Sequence, residues 1–142
     1  HGLVFVSALA RAANEGYLVS IRSVAEDAGI SDGYLEELAG VLRAAGVVRG
    51  ARGRGGGYTL VRPAHAVTVG DIIRLLDGPV VLAACQDPQA RRPCPVEGRC
   101  ASRAFFARLK SAIDRELDGM TLAELVSNSR TENSDRSKSS VL

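Results

Sequence analysis

Apolar residues recur along this chain at the spacing of amphipathic helices, interrupted once by a short segment that has the composition of a β-hairpin. The pattern predicts helices over residues 3–13, 21–28, 31–45, 71–77, 101–120 and 121–126. Gly29 and Gly46 follow apolar stretches and predict helix ends, because glycine adopts the left-handed cap conformation without strain. The second and third helices, joined by a tight glycine-containing connection, match the spacing of a helix-turn-helix.

The third helix combines a polar first turn with one apolar stripe. Ser31 is placed to cap it, since its hydroxyl can accept a hydrogen bond from a backbone N–H of the first turn. Four residues at helical spacing predict the buried face, namely Leu35, Leu38, Val41 and Leu42. The polar residues Asp32, Tyr34 and Glu36 fall largely outside this stripe, near the start of the helix.

A β-hairpin with a glycine-rich tip is predicted after this helix. Val47 and Val48 begin the first strand, residues 58–61 form the second, and the tip between them reads RGARGRGGG. Its five glycines carry no side chains, so the backbone of the tip can approach another surface closely.

The charge of this region indicates what that surface is. Residues 38–70 contain no Asp or Glu, whereas the same span carries Arg43, Arg49, Arg52, Arg54 and Arg62. A helix with a polar first turn followed by an arginine-tipped hairpin is typical of a winged helix-turn-helix that binds DNA. The alternatives are a solvated hairpin with incidental arginines and a phosphate-binding enzyme loop. No Gly-Lys-Ser/Thr follows the glycines, which disfavours the enzyme loop.

The chain as a whole has the size of one domain with an appended helix, at 142 residues and a formal net charge of +2. Nucleic-acid binding must therefore depend on a local patch. No apolar run reaches membrane length and no signal peptide is recognisable. Three cysteines, an odd number, suit a reducing cytoplasm better than a disulfide framework. The sequence enters an apolar helical segment directly after His1, from which we expect that the natural N-terminus is missing.

All the cysteines lie in one proline-containing loop, residues 83–100, with the spacing Cys85-x8-Cys94-x5-Cys100. Prolines at 88, 93 and 95 exclude a long helix there. Three thiolates on one loop can converge on a metal centre, and nearby arginines favour the thiolate form. The alternatives are ordinary reduced cysteines, or one disulfide with a spare thiol. No CxxC is present, which disfavours a zinc finger, and three cysteines leave a four-coordinate site one ligand short.

The helix after this loop carries an apolar stripe without an evident partner in the chain. The stripe consists of Ala101, Phe105, Leu109, Ala112, Ile113 and Leu117. If the first domain is complete by Gly78, an antiparallel copy from a second subunit would bury it. The alternative is that the helix packs on its own domain. Thr121 opens a short helix with a capping box, and we expect the polar, serine-rich tail beyond it to be disordered.

Together, ISDGYLEELAGVLRAAGVV, RGARGRGGGYTL, VTVGDIIRLLDGP, the three spaced cysteines and MTLAELV resemble the iron–sulfur cluster regulator family, the IscR-, NsrR- and RirA-like repressors. The similarity covers about residues 1–128. It implies a cytoplasmic homodimer of winged-helix domains joined by a long C-terminal helix, bound to a palindromic operator in double-stranded DNA. It also implies a 2Fe–2S or 4Fe–4S cluster held at the start of that helix.

The residues that match the family's motifs carry these roles. The family's cluster ligands are matched by Cys85, Cys94 and Cys100. Its DNA-reading helix is matched by Ser31, Gly33, Tyr34 and Glu36, with Asp32 among them, and its wing by Arg52, Gly53 and Arg54. In IscR-like members a histidine follows the third cysteine by three positions and is the fourth ligand, but Arg103 stands there in this chain.

The first cysteine gap is eight residues where the IscR-like branch has five, and both departures point toward the nitric-oxide-sensing or iron-sensing branches. In NsrR-like members an acidic residue near the partner's N-terminus can be the fourth ligand, a segment that is absent here. Asp87 and Glu97 are weaker local alternatives for the fourth ligand.

The predicted organisation is a winged helix-turn-helix domain over residues 1–78, a cluster-binding loop over 79–100, a dimerisation helix with a short C-terminal helix over 101–127, and a disordered tail over 128–142. The fold class is mainly α with a small β-hairpin wing. The predicted function is an iron–sulfur-dependent transcriptional repressor that senses nitric oxide, iron or cluster status. A regulator that senses oxidants through its thiols is the alternative. An enzyme is disfavoured because no nucleophile–base pair is apparent, and a protein-binding adaptor is disfavoured by the acid-free arginine hairpin.

Overall fold

A computed structural model describes residues 1–53, 55–87, 89–90, 92 and 94–129 of the chain, apart from the side chain of Glu97. Its helices are α1 (Gly2–Ala13), α2 (Ile21–Ala28), α3 (Asp32–Ala44), α4 (Val69–Asp77), α5 (Arg103–Gly119) and α6 (122–129), and its strands are β1 (Val48–Ala51) and β2 (Gly57–Leu60). Short 3-10 turns lie at Ala64–Ala66, Ala84–Gln86 and Glu97–Arg99. Arg54, Arg91 and residues 130–142, including most of the predicted tail, lie outside the described residues.

Side-chain caps fix both helices of the helix-turn-helix. The Ser20 hydroxyl accepts from the Ser23 N–H at 3.1 Å, and the Ser31 hydroxyl accepts from the Tyr34 N–H at 3.4 Å. Gly29 ends α2 with a φ of 66°, in the left-handed region that glycine adopts most readily. The connection from α2 to α3 is therefore as short as the sequence predicts.

The wing is an antiparallel hairpin with a third backbone segment beside it. Val48 pairs with Leu60 and Ala51 with Gly57. On the other side of β2, the Tyr58 N–H donates to the Val19 carbonyl at 2.8 Å and the Val19 N–H donates back at 3.0 Å. A Cβ on Gly57 would lie 2.6 Å from the Val19 carbonyl oxygen, so this close approach requires glycine. The wing is thus attached to the segment that leads into α2.

The core lies between α1, α3, α4 and the hairpin. Its fully buried large side chains are Phe5, Val6, Leu9, Leu35, Leu42, Val48, Val67, Ile72 and Leu122. The ring of Phe5 meets Tyr58 edge to face, with centroids 5.7 Å apart, which joins α1 to the wing. The mainly helical fold with a two-stranded wing confirms the predicted fold class.

The C-terminal helix α6 returns to this core, which therefore is not complete by Gly78. Leu122 and Val126 of α6 are buried in the core cluster. The Val69 N–H donates to the Met120 carbonyl at 2.8 Å, and the Leu122 N–H donates to the Val67 carbonyl at 2.9 Å. The predicted capping box forms, since Thr121 and Glu124 exchange side-chain to backbone hydrogen bonds. Helix α6 extends through residue 129, past the expected start of the tail at residue 128.

One residue of the predicted α3 stripe is exposed. Val41 is 41% exposed, whereas Ala39 is fully buried. The buried stripe follows Leu35, Ala39 and Leu42, which are separated by four and three residues, and Val41 lies about a third of a turn to one side. Ala39 therefore belongs to the buried face of α3, and Val41 does not.

Candidate nucleic-acid interface and cysteine loop

The first turn of α3 presents polar groups outward while its apolar face is buried. Asp32, Gly33, Tyr34 and Glu36 are exposed, and Leu35 between them is fully buried. This alternation anchors the turn in the core and leaves its polar side chains free to reach base edges. Ser31 is also exposed, and its hydroxyl caps the helix, so its established role is to define where α3 begins.

The wing tip turns on glycines and carries its arginines outward. Gly53 and Gly55 have φ values of 105° and 81°, and the Gly56 N–H donates to the Gly53 carbonyl at 2.9 Å. Arg49 and Arg52 are exposed, and Arg54 lies outside the described residues. The tip is therefore a narrow backbone turn flanked by cations, which suits a nucleic-acid backbone.

These two elements belong to one packed unit, because α3 contacts β1 directly. Their charges are opposite, with Asp32 and Glu36 on the helix and Arg49 and Arg52 on the hairpin. Carboxylates can accept hydrogen bonds from base amino groups, whereas arginines bind phosphates. The helix therefore offers exposed hydrogen-bond acceptors, and the hairpin offers exposed cations.

The loop between α4 and α5 carries the cysteines as free thiols. Cys85 is exposed, and Cys94 and Cys100 are half-buried. The Asp87 carboxylate accepts from the Gln89 N–H at 2.8 Å, so it closes a local turn. The side chain of Glu97, the other proposed local ligand, lies outside the described residues. Arg103, at the position of the family histidine, is the first residue of α5.

The loop fits an iron–sulfur cluster in the chemistry of its donors. Three sulfur ligands on one segment are the type such clusters bind. Beside Cys100 an open cleft of about 470 Å³ is lined by Arg99 and Arg103, whose charge would offset that of bound thiolates. The amide oxygen of Gln86, next to Cys85, is buried and lacks a hydrogen-bond partner among the described atoms. Among all the residues that the structure describes, no three His, Cys, Asp or Glu side chains lie close enough together to hold a metal ion.

Helix α5 extends from this loop, and the large apolar side chains near its start are exposed. Phe105 is 54% exposed and Leu109 39% exposed, and no described residue of α5 is buried. Phe105 meets Phe106 edge to face, with ring centroids 5.5 Å apart. Further along the predicted stripe, Ile113 and Leu117 are half-buried, so the open part of the stripe lies toward the cysteine loop.

Residues 2–128 match the Rrf2 family, described as iron-dependent transcriptional regulators. The chain belongs to the Rrf2 family. It is 36% identical over 128 residues to the transcriptional regulator CymR of Bacillus subtilis, a match that covers 89% of this chain and 85% of that protein. It is 38% identical over 110 residues to the regulator IscR of Yersinia pseudotuberculosis, covering 78% of this chain and 65% of that one, slightly less than two thirds.

Solved Rrf2 structures share the fold. The structure of T. potens IscR has a TM-score of 0.71 at 34% identity and covers 90% of this chain and 82% of its own. The structure of CymR, the global cysteine regulator of B. subtilis, has a TM-score of 0.72 at 35% identity. The match covers 89% of this chain and 91% of the CymR chain. Family membership confirms the resemblance and establishes a transcriptional regulator rather than an enzyme. No helix among the described residues is both long and apolar enough to cross a bilayer.

The polar contact between α4 and α5 is not predicted by the sequence patterns. Arg74 of α4 bonds to Asp114 and Asp118 of α5. The only signal in the sequence is the four-residue spacing of Lys110, Asp114 and Asp118, which places a charged row on one face of α5. Such a row is also typical of a solvated helix face, so periodicity alone does not reveal its partner.

Proposed function

We propose that this Rrf2 protein binds a palindromic DNA operator as a cytoplasmic homodimer and represses transcription under the control of its cysteine loop. The observation that carries the DNA-binding part is the capped, exposed first turn of α3 in the same packed unit as an arginine-bearing hairpin. In this proposal α3 enters the major groove, and the wing reaches phosphates or the minor groove.

Individual residues take distinct parts in DNA recognition. Glu36 can accept a hydrogen bond from a cytosine amino group, with Asp32, Gly33 and Tyr34 beside it in the same turn. Arg52 and Arg54 neutralise phosphates, which adds affinity without sequence preference.

In this proposal the dimer forms through the first part of α5, where Phe105 and Leu109 are exposed in the single chain. An antiparallel second copy would cover Phe105 and Leu109 in both subunits. The geometry of that contact then sets the separation of the two α3 helices, which must match half-sites about 34 Å apart or a multiple of this distance.

The sensing group in this proposal is an iron–sulfur cluster held by Cys85, Cys94 and Cys100. When bound, it would supply a centre that oxygen, nitric oxide or iron shortage can remove. Three thiolates held together restrict a loop that otherwise has only short 3-10 turns, and the loop leads directly into α5. The family description as iron-dependent and the likeness to IscR support this choice.

The DNA-binding part is tested by the variant Arg52→Ala/Arg54→Ala. Fluorescence anisotropy is measured at several salt concentrations on the duplex that the parent enriches from a random pool. We expect weaker binding and a salt slope shallower by roughly 1 for each arginine lost. Arg115→Ala, which removes one arginine from an exposed position of α5, outside the wing, is the control. An unchanged affinity and slope in the double variant would refute the wing assignment.

Iron and sulfide analysis of protein purified without oxygen tests the cluster. We expect a brown protein with stoichiometric iron and sulfide in the parent and loss of both in Cys94→Ser. A colourless, iron-free parent that still binds DNA would reject the cluster and retain the DNA-binding function.

Direct thiol sensing is the second candidate, and the free, exposed thiol of Cys85 favours it. The likeness to CymR, whose structure is described as that of a global cysteine regulator, supports a thiol-based signal as well. In this case the iron-free protein changes its DNA affinity on treatment with peroxide, and a thiol reductant reverses the change. A peroxide response that persists after all three cysteines are replaced by serine would exclude this candidate.

A further inference from the structure

Helix α5 is fastened to the DNA-binding domain near its C-terminal end by two different contacts. The first is the backbone pairing in which Val69 and Leu122 donate to the carbonyls of Met120 and Val67, at 2.8 and 2.9 Å. This pairing continues into α6, where Leu122 is fully buried. It therefore fixes the position of the end of α5.

The second contact is a guanidinium clamp on the last two turns of α5. Arg74 donates to both carboxylate oxygens of Asp118, from Nη1 at 2.5 Å and from Nη2 at 3.1 Å. Its Nη2 also donates to Asp114 at 3.2 Å. Because Asp114 and Asp118 lie about one helical turn apart, a single guanidinium holds two points along the axis of α5.

The clamp is supported on both sides. Lys110 Nζ donates to the other oxygen of Asp114 at 2.5 Å, so that carboxylate is shared between two cations. A Cβ on Gly70 would lie 2.5 Å from Asp118 Oδ1 and 2.7 Å from Arg74 Nη1, so the absence of a side chain at Gly70 leaves room for both ends of the clamp. Hydrogen bonds to Asp118 first and Asp114 next hold the pKa of Arg74 above its ordinary value, so its guanidinium stays protonated.

We propose that Arg74 is the positioning residue that sets the direction of α5 relative to the recognition helix. A point contact at Met120–Leu122 leaves a helix free to pivot, and the clamp on Asp114 and Asp118 removes that freedom. Helix α4, which carries Arg74, also packs on α3. The orientation of the dimer helix is thereby transmitted to the first turn of α3 through one rigid intermediary.

This inference rests on the proposed dimeric DNA-binding function, and it is independent of whether the loop senses through a cluster or through thiols. Its consequence is a fixed spacing of half-sites. Inserting one base pair between two half-sites rotates one against the other by about 35°. A clamped dimer cannot follow that rotation, whereas a dimer that pivots at Met120–Leu122 can.

The test compares the parent and Arg74→Ala on the palindrome that the parent enriches from a random pool, with zero, one and two base pairs inserted at its centre. We expect the affinity of the parent to fall about tenfold or more when one base pair is inserted. The affinity of Arg74→Ala should change by less than about threefold on the same insertion. Arg74→Lys keeps the charge without the two-pronged geometry and should be intermediate. Arg115→Ala should behave like the parent.

Thermal unfolding and the mass of the dimer are measured in parallel. Exposed ion pairs contribute little to global stability, so both are expected to stay near the parent values. If Arg74→Ala does not fold, Asp118→Asn, on the half-exposed side of the clamp, takes its place in the same assay. A variant as selective for spacing as the parent overturns the inference, as does a uniform loss of affinity at every spacing. A parent that enriches no palindrome overturns the proposed function and the inference with it.

Discussion

Truncation of Phe105 to alanine tests whether the exposed face of α5 is the dimer interface. Phe105 is the most exposed residue among the large apolar side chains of the described chain, at 54%, and it lies near the start of α5, next to the cysteine loop. The change removes the whole ring and introduces neither charge nor backbone strain, so its effect reports on burial by a partner.

The expected loss of dimer affinity follows from the fraction of the Phe105 side chain that is exposed in the single chain. Complete burial of a phenylalanine side chain stabilises by roughly 1.5–3 kcal/mol relative to full exposure. With 54% exposed in the single chain, about half of that, or about 1 kcal/mol, remains to be gained in a dimer. A two-fold interface contains the residue twice, so the loss is about 2 kcal/mol, or about 30-fold in the dimer dissociation constant.

Sedimentation equilibrium over a range of protein concentrations measures that constant directly. Val61→Ala is the matched control, because Val61 is 51% exposed but follows the wing instead of lying on α5. We expect dissociation constants about 30-fold apart for parent and Phe105→Ala and nearly equal for parent and Val61→Ala. A Phe105→Ala dimer as tight as the parent dimer would refute burial of this face between subunits.

Two further predictions concern stability. Gly57→Ala should lower the free energy of unfolding by about 1–3 kcal/mol, because its Cβ would lie 2.6 Å from the Val19 carbonyl oxygen. Gly40→Ala should raise the free energy of unfolding by about 0.5–1 kcal/mol, because alanine favours the helix and its Cβ would meet no described atom within 4 Å beyond the neighbouring backbone of α3. Urea denaturation measures both, and the reverse order would contradict the packing. Hydrogen bonds from Lys110, and next from Arg74, lower the pKa of Asp114. Its contribution to stability is therefore complete above the unfolded pKa of about 3.9 and is lost as pH falls through the lower folded value. The thermal midpoint of the parent should drop more steeply below about pH 4 than that of Asp114→Asn, and parallel curves would argue against the ion pair.

Local rules account for the parts of the fold that the sequence predicts well. Ser31 and Thr121 cap helices, and Gly29 ends one, because each acts within a few residues of its own position. The wing is predictable for the same reason, as glycines and arginines cluster between two short apolar runs. The residues proposed to bind DNA lie in these locally determined segments, so their exposure could be anticipated, with Arg54 outside the described residues.

Contacts between segments that are distant in the sequence could not be predicted from local patterns. Local patterns place Leu122 and Val126 in a separate helix. In the structure both are buried in the same core as α1, which lies more than a hundred residues earlier in the chain. Arg74 and Asp118 are likewise 44 residues apart, and nothing in either local pattern selects the other. The cysteine loop shows the same limit, because whether three thiols converge depends on a ligand and on tertiary geometry, not on their spacing.

The arrangement of anchored and free segments explains why a sensor in this loop could act on DNA binding. Both α4 and α6 are held in the core, and α5 is attached near its C-terminal end. With 17 residues, α5 is about 25 Å long, so its other end lies far from this attachment. The cysteine loop joins α5 at that far end, immediately before Phe105. A change in the loop would therefore displace the end of α5 that lies farthest from its attachment. This end is also directly beside the face proposed to hold the second subunit. A sensor near Met120 would have to move the fixed end of α5 against the core instead.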